Sequence, residues 1–132
     1  MKLEKFKNFR FKVFLVVLIF SFSSVNSWAA IVDTGFVGED ETEIEITRGY
    51  AKQPTFPRKA IRLGKEGYVV VEFDIDTDGA VLDPYVVVAV PQGVFERAAI
   101  KAVRKWVYES PTYNGQSVKA NNVQVKLTFS LN

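Results

Sequence analysis

Asp74, Asp76 and Asp78 stand at alternate positions and are followed by Gly79. Carboxylates at that spacing open the calcium loop of an EF-hand, which also needs a bidentate Glu at its twelfth position. Counted from Asp74, the twelfth residue is Tyr85. The run also lies between two apparent strands rather than two helices. It therefore reads as a charged hairpin turn, and no metal is expected. Gly64-x-x-Gly67 is too short for a phosphate loop and precedes a strand instead of a helix. Ser110 and Ser117 sit in a loop signal with no base arranged to activate them. The chain has no Cys and no His. Disulfides, thiolate metal sites and a Cys nucleophile are thereby excluded, and the commonest general base is absent. Neither catalysis nor a cofactor is expected.

Two other groups invite a binding role. Trp106 and Tyr108 could form a ligand platform, but Trp106 falls on a helix stripe and reads as packing. Lys101, Arg104 and Lys105 could meet an anionic partner; a solvated helix face near a C-terminus accounts for them as well.

These groups need elements to hold them. The 132 residues suffice for one small domain, and 48% hydrophobic content fits a globular chain. Lys2, Lys5, Lys7, Arg10 and Lys12 make a basic opening. An apolar run from Val13 to Phe20 follows, then Ser27-Trp28-Ala29 before Ala30. This order describes a secretory signal over residues 1–29, cut between Ala29 and Ala30. The alternative is an uncleaved inner-membrane anchor. Either form sends the remainder to a periplasm. The formal charge of the whole chain is +2; without residues 1–29, Lys+Arg falls from 17 to 12 and Asp+Glu from 15 to 14. The basicity belongs to the targeting segment, and nucleic acid is not an expected partner.

Residues 30–49 carry six acids and, before Arg48, no base. They read as a solvated acidic leader, with a short strand conceivable at Ile44 and Ile46. The domain proper is expected over residues 50–132. Pro54 and Pro57 make a rigid approach, and Pro57 suits the first turn of a short helix over residues 57–63. From Gly67, the alternation of Val69, Val71, Phe73 and Ile75 predicts a strand. Asp78-Gly79 turns it back. The return strand, residues 80–90, meets Pro84, which predicts a bulge or a margin position. Phe95, Ala98, Ala99, Ala102, Val103 and Trp106 then form one apolar helical stripe. Pro111 and Asn114-Gly115 mark a loop.

The last stretch, residues 118–131, again alternates. Val123, Val125, Leu127, Phe129 and Leu131 face one way; Gln124, Lys126, Thr128 and Ser130 face the other. If this strand lies at a sheet margin, residues 123–130 can pair with an incoming extended peptide. The fold class is α+β: a three-stranded antiparallel sheet packed against two helices.

The ordered set Pro54-x-Phe56-Pro57-x-x-Ala60, Gly64-x-x-Gly67, Val69-x-Val71-x-Phe73-x-Ile75, Ala98-Ala99-x-x-Ala102, Trp106-x-Tyr108, Pro111, Gly115, Val118 and Phe129 resembles the TonB C-terminal domain family. The likeness covers roughly residues 51–131. Phe56 departs from the Tyr usual there. The resemblance implies a periplasmic coupling or adaptor module that binds the TonB box of an outer-membrane receptor by strand addition. It also implies a link to the inner-membrane motor proteins ExbB–ExbD. Against that link, the chain has no His and only five Pro, all at or after Pro54. A leader of some eighteen residues spans at most ~60 Å. The alternative functions are a self-associating module, such as a homodimer, and a Tol-like structural part of the envelope.

Overall fold

The computed structural model describes residues 30–132. The targeting reading of residues 1–29, including the Ala29 side of the cut, lies outside the described residues. Ten elements follow in order: β1 (Val32–Val37), β2 (Thr42–Tyr50), α1 (Arg58–Arg62), β3 (Gly67–Ile75), β4 (Val81–Val90), α2 (Glu96–Val103), β5 (Val107–Tyr108), β6 (Thr112–Tyr113), β7 (Gln116–Ser117) and β8 (Ala120–Phe129). The strands form a six-stranded sheet in the order β4-β3-β8-β1-β2-β5, with β6 and β7 as a separate small hairpin.

The α+β class is as expected, but six strands replace the expected three. The surplus comes mainly from the acidic segment. Residues 32–50 fold as a hairpin in which Val32 pairs with Thr47 and Val37 with Thr42. Ile44 and Ile46 drive this by alternation: both are buried, while Glu43 and Glu45 between and beside them face water. Burying each Ile contributes about 1.5–3 kcal/mol, enough to hold a charged ribbon against the domain.

The remaining elements obey their sequence patterns. In β3, Val69, Val71, Phe73 and Ile75 are buried on one face. β4 is a margin strand, and its pairing with β3 shifts register between Glu72 and Asp74, opposite Asp83 and Pro84. Pro84 thus occupies both a margin and an irregularity, where its missing N–H is harmless. Pro57 caps α1. Helix α2 has no side-chain cap at Phe95, but Glu96 accepts the N–H of Gly93 at 2.5 Å. That bond holds the Glu96 carboxyl below its usual range. Its buried side, Phe95, Ala99, Val103 and then Trp106, lies in the same core as the inward faces of β3 and β8.

Candidate functional site

The terminal strand occupies the interior of the sheet. β8 pairs with β3 along nearly its whole length, from Gly67↔Phe129 to Ile75↔Ala120. This corrects the expectation of a margin strand. The cause is the β1–β2 hairpin, which lies on the other side of β8. Its hold there is short: Phe36↔Asn121 is the one pair between β1 and β8 among the described residues. The approach is close at that end. A Cβ on Gly35 would stand 3.0 Å from Val123 Cγ2 and 2.6 Å from Ile46 Cδ1.

The candidate partner-strand residues divide by face. Val123, Val125, Leu127 and Phe129 are buried; Gln124, Lys126, Thr128 and Ser130 are exposed. Their outward side chains already have neighbours. Gln124 Nε2 donates to Glu72 Oε2 at 2.6 Å, and Lys126 Nζ stands 4.2 Å from the Tyr68 ring centroid. Leu131, expected to continue the inward row, lies past the strand and is exposed.

Of the residues singled out as a motif, Phe56 and Gly67 meet β8 at Phe129, while Pro57 and Trp106 hold the neighbouring segments. The Phe56 ring meets Phe95 and Phe129 edge-on, at 5.5 and 5.7 Å between centroids. Phe95 and Phe129 stack at 4.3 Å. Such aromatic contacts add about 0.5–1.5 kcal/mol each beyond area burial. Pro57 starts α1 beside them. Gly67 is required by proximity: a Cβ there would lie 1.9 Å from the Val90 carbonyl oxygen. Trp106 is buried and its Nε1–H donates to the Lys52 carbonyl at 2.8 Å. It ties the segment before α1 to the end of α2.

A polar cluster not anticipated from the sequence fixes the hairpin. Asp33 on β1 accepts from Arg48 Nε at 2.5 Å and Nη2 at 2.8 Å, and from the Tyr108 hydroxyl at 2.6 Å. The Arg48 guanidinium also lies 4.7 Å from the Trp106 ring centroid. Hydrogen bonding to Asp33 raises the Arg48 pKa. Burial, followed by donation to Asp33, pushes the Tyr108 hydroxyl well above its usual range. No signal in the sequence links positions so far apart.

The calcium-like carboxylates are spent on the turn. Asp76 Oδ1 accepts from Thr77 N–H and Asp78 Oδ1 from Ala80 N–H, while Asp74 pairs with Lys119 at 3.3 Å. No group of three metal-ligating side chains occurs among the described residues. Ser110 and Ser117 hydrogen-bond to each other at 3.0 Å, beside the small hairpin.

An antiparallel sheet carrying two helices, with an aromatic cluster against its terminal strand, defines a small α+β module. The profile of the Gram-negative bacterial TonB protein C-terminal matches residues 52–131, and the chain belongs to that family. Protein TonB of Xanthomonas campestris pv. campestris is 34% identical over 89 residues, 67% of this chain and 40% of that protein. Protein TonB of Yersinia enterocolitica is 41% identical over 58 residues, 44% of this chain and 23% of that one. The chain thus spans less than half the length of these relatives. Among solved structures, the Pseudomonas aeruginosa TonB C-terminal domain superposes with a TM-score of 0.58 at 28% identity, covering 74% of this chain and 94% of that domain. The residues matched by the family profile begin after the β1–β2 hairpin.

Proposed function

We propose that the chain is a periplasmic TonB-like coupling module. It binds an extended peptide, the TonB box of an outer-membrane receptor, by strand addition along the outer margin of β8, and so supports energy-dependent uptake. The observation that carries this reading is the shortness of the hydrogen-bonded ladder between β1 and β8. On that side β8 has one described pair, at Asn121, and the strand beyond it toward Ser130 has no described ladder partner; the incoming strand adds there in this proposal. Main-chain bonds would supply affinity, with Gln124, Lys126, Thr128 and Ser130 reading side chains. Phe129 anchors the end of the segment in a cluster with Phe56 and Phe95.

The inner-membrane tether belongs to the same proposal. Among the described residues no helix is long and apolar enough to cross a membrane. In this proposal residues 1–29 serve any link to ExbB–ExbD. The test is an NMR titration with a synthetic TonB-box peptide and with the same peptide N-methylated along its backbone. The parent peptide should shift amides within residues 123–130, and methylation should abolish binding. Binding that survives methylation, or that maps elsewhere, contradicts strand addition.

A second reading, self-association as an envelope structural module of Tol-like kind, has one observation in its favour. β4 is a margin strand, and Val87, Val88 and Val90 on it are exposed. Unprotected apolar margins pair with other chains.

A further inference from the structure

The two ends of strand β2 carry opposite charge. At its Thr42 end, the turn and the strand's outer face expose Glu39, Asp40, Glu41, Glu43 and Glu45. At its Tyr50 end begins a groove of about 940 Å³ between the segment leading to α1 and helix α2. Five exposed bases line it: Lys52, Arg58, Arg97, Lys101 and Lys105. Its single acid, Glu96, already accepts the Gly93 N–H. The floor is apolar, from Phe56 and Ala98.

None of these five acids and five bases makes an ion pair among the described residues; the ion pairs found there are Arg48–Asp33 and Lys119–Asp74. Arg97 and Lys101 stand at i and i+4 of α2, a like-charge pair that weakens a helix when nothing answers it, and Lys105 follows in the turn just past the helix. The acidic turn cannot reach the groove of its own molecule. The nine residues of β2 separate them by roughly 26 Å. The rows nevertheless match in pitch. Alternate residues on a strand, such as Glu43 and Glu45, advance about 6.8 Å. Residues four apart on a helix advance about 6 Å.

We propose that the groove between the α1 approach and α2 receives the acidic β1–β2 turn of a second copy of this chain. The contact is heterologous: the turn of one molecule enters the groove of the next, leaving one turn and one groove free at the ends. Such contacts propagate unless their rotation closes a ring. The association is electrostatic and should be salt-sensitive, because exposed charges are screened within a Debye length of about 10 Å at 0.1 M salt. It differs from pairing through β4, which would be isologous and indifferent to these side chains.

The test uses the protein as recovered from cells, sedimented over a range of concentrations at low salt and at high salt. Wild type should associate at low salt and weaken about tenfold or more as salt rises from about 20 to 300 mM. Two variants are compared, E39K/D40K/E41K in the turn and K101E/K105E in the groove, both with circular dichroism matching wild type. Each alone should stay monomeric, and an equimolar mixture should regain association. A wild type that is monomeric at low salt overturns the proposal. So does association retained in both single variants. A groove that binds an added acidic peptide while wild-type copies ignore each other overturns it too.

Discussion

The Tyr108 hydroxyl donates to Asp33 Oδ2 at 2.6 Å across 75 positions of sequence. It joins β5, reached from helix α2, to the first strand of the hairpin. Arg48 closes the cluster from the neighbouring strand. The hairpin's position beside β8 therefore depends on a three-residue polar clamp as well as on Ile44 and Ile46.

Removing Asp33 leaves Arg48 without its counterion and Tyr108 without its acceptor in a site where Asp33 and Arg48 are only 10% and 19% exposed. Asp33→Ala should cost about 2–4 kcal/mol by urea unfolding. Tyr108→Phe should cost about 1 kcal/mol. The double variant should be less destabilised than the sum, since both remove one shared bond. Strict additivity would mean the hydroxyl contributes nothing through Asp33.

The raised pKa of Tyr108 has a signed consequence. The folded state keeps this proton to higher pH than the unfolded chain does, so above an ordinary tyrosine pKa of about 10 the unfolded state binds fewer protons and stability falls with rising pH. Below that pH the contribution is fully present. Urea midpoints between pH 8 and 11 should decline for wild type and decline less for Tyr108→Phe. Parallel curves for the two proteins would show that Tyr108 is not the group responsible.

Gly67 begins β3 directly against the backbone of Val90. Gly67→Ala places a methyl 1.9 Å from a carbonyl oxygen, so the β3–β4 start must move. The expected loss is about 1–3 kcal/mol in chemical denaturation, typical of overpacking. An unchanged midpoint would show that the Val90 end of β4 yields freely.

Much of this architecture was legible in the sequence where one physical signal dominated. Val69 to Ile75 and Val123 to Phe129 alternate cleanly, and both rows are buried as that period requires. The stripe from Phe95 to Trp106 marked α2, although Ala98 and Ala102 proved only half-buried at its flank. Pro84 announced the irregular margin strand. The hairpin was not legible as such. Its apolar signal in β2 is just Ile44 and Ile46 amid acids, and β1 packs through Gly35, which no hydrophobic pattern detects. The place of β8 within the sheet followed from that hairpin, and strand order is a tertiary property that alternation does not encode. The Asp33–Arg48–Tyr108 clamp likewise exists only after folding.

Peptide binding as proposed takes place along the outer backbone margin of β8. Amide hydrogen exchange along residues 123–130, with and without a saturating TonB-box peptide, measures it directly. Alternate amides point to opposite sides of a strand. Those facing β3 should be slow in both states, and those facing outward should slow markedly only when peptide is bound. Outward amides that exchange equally fast in the bound and free protein, while the peptide is demonstrably bound, would contradict strand addition at this site.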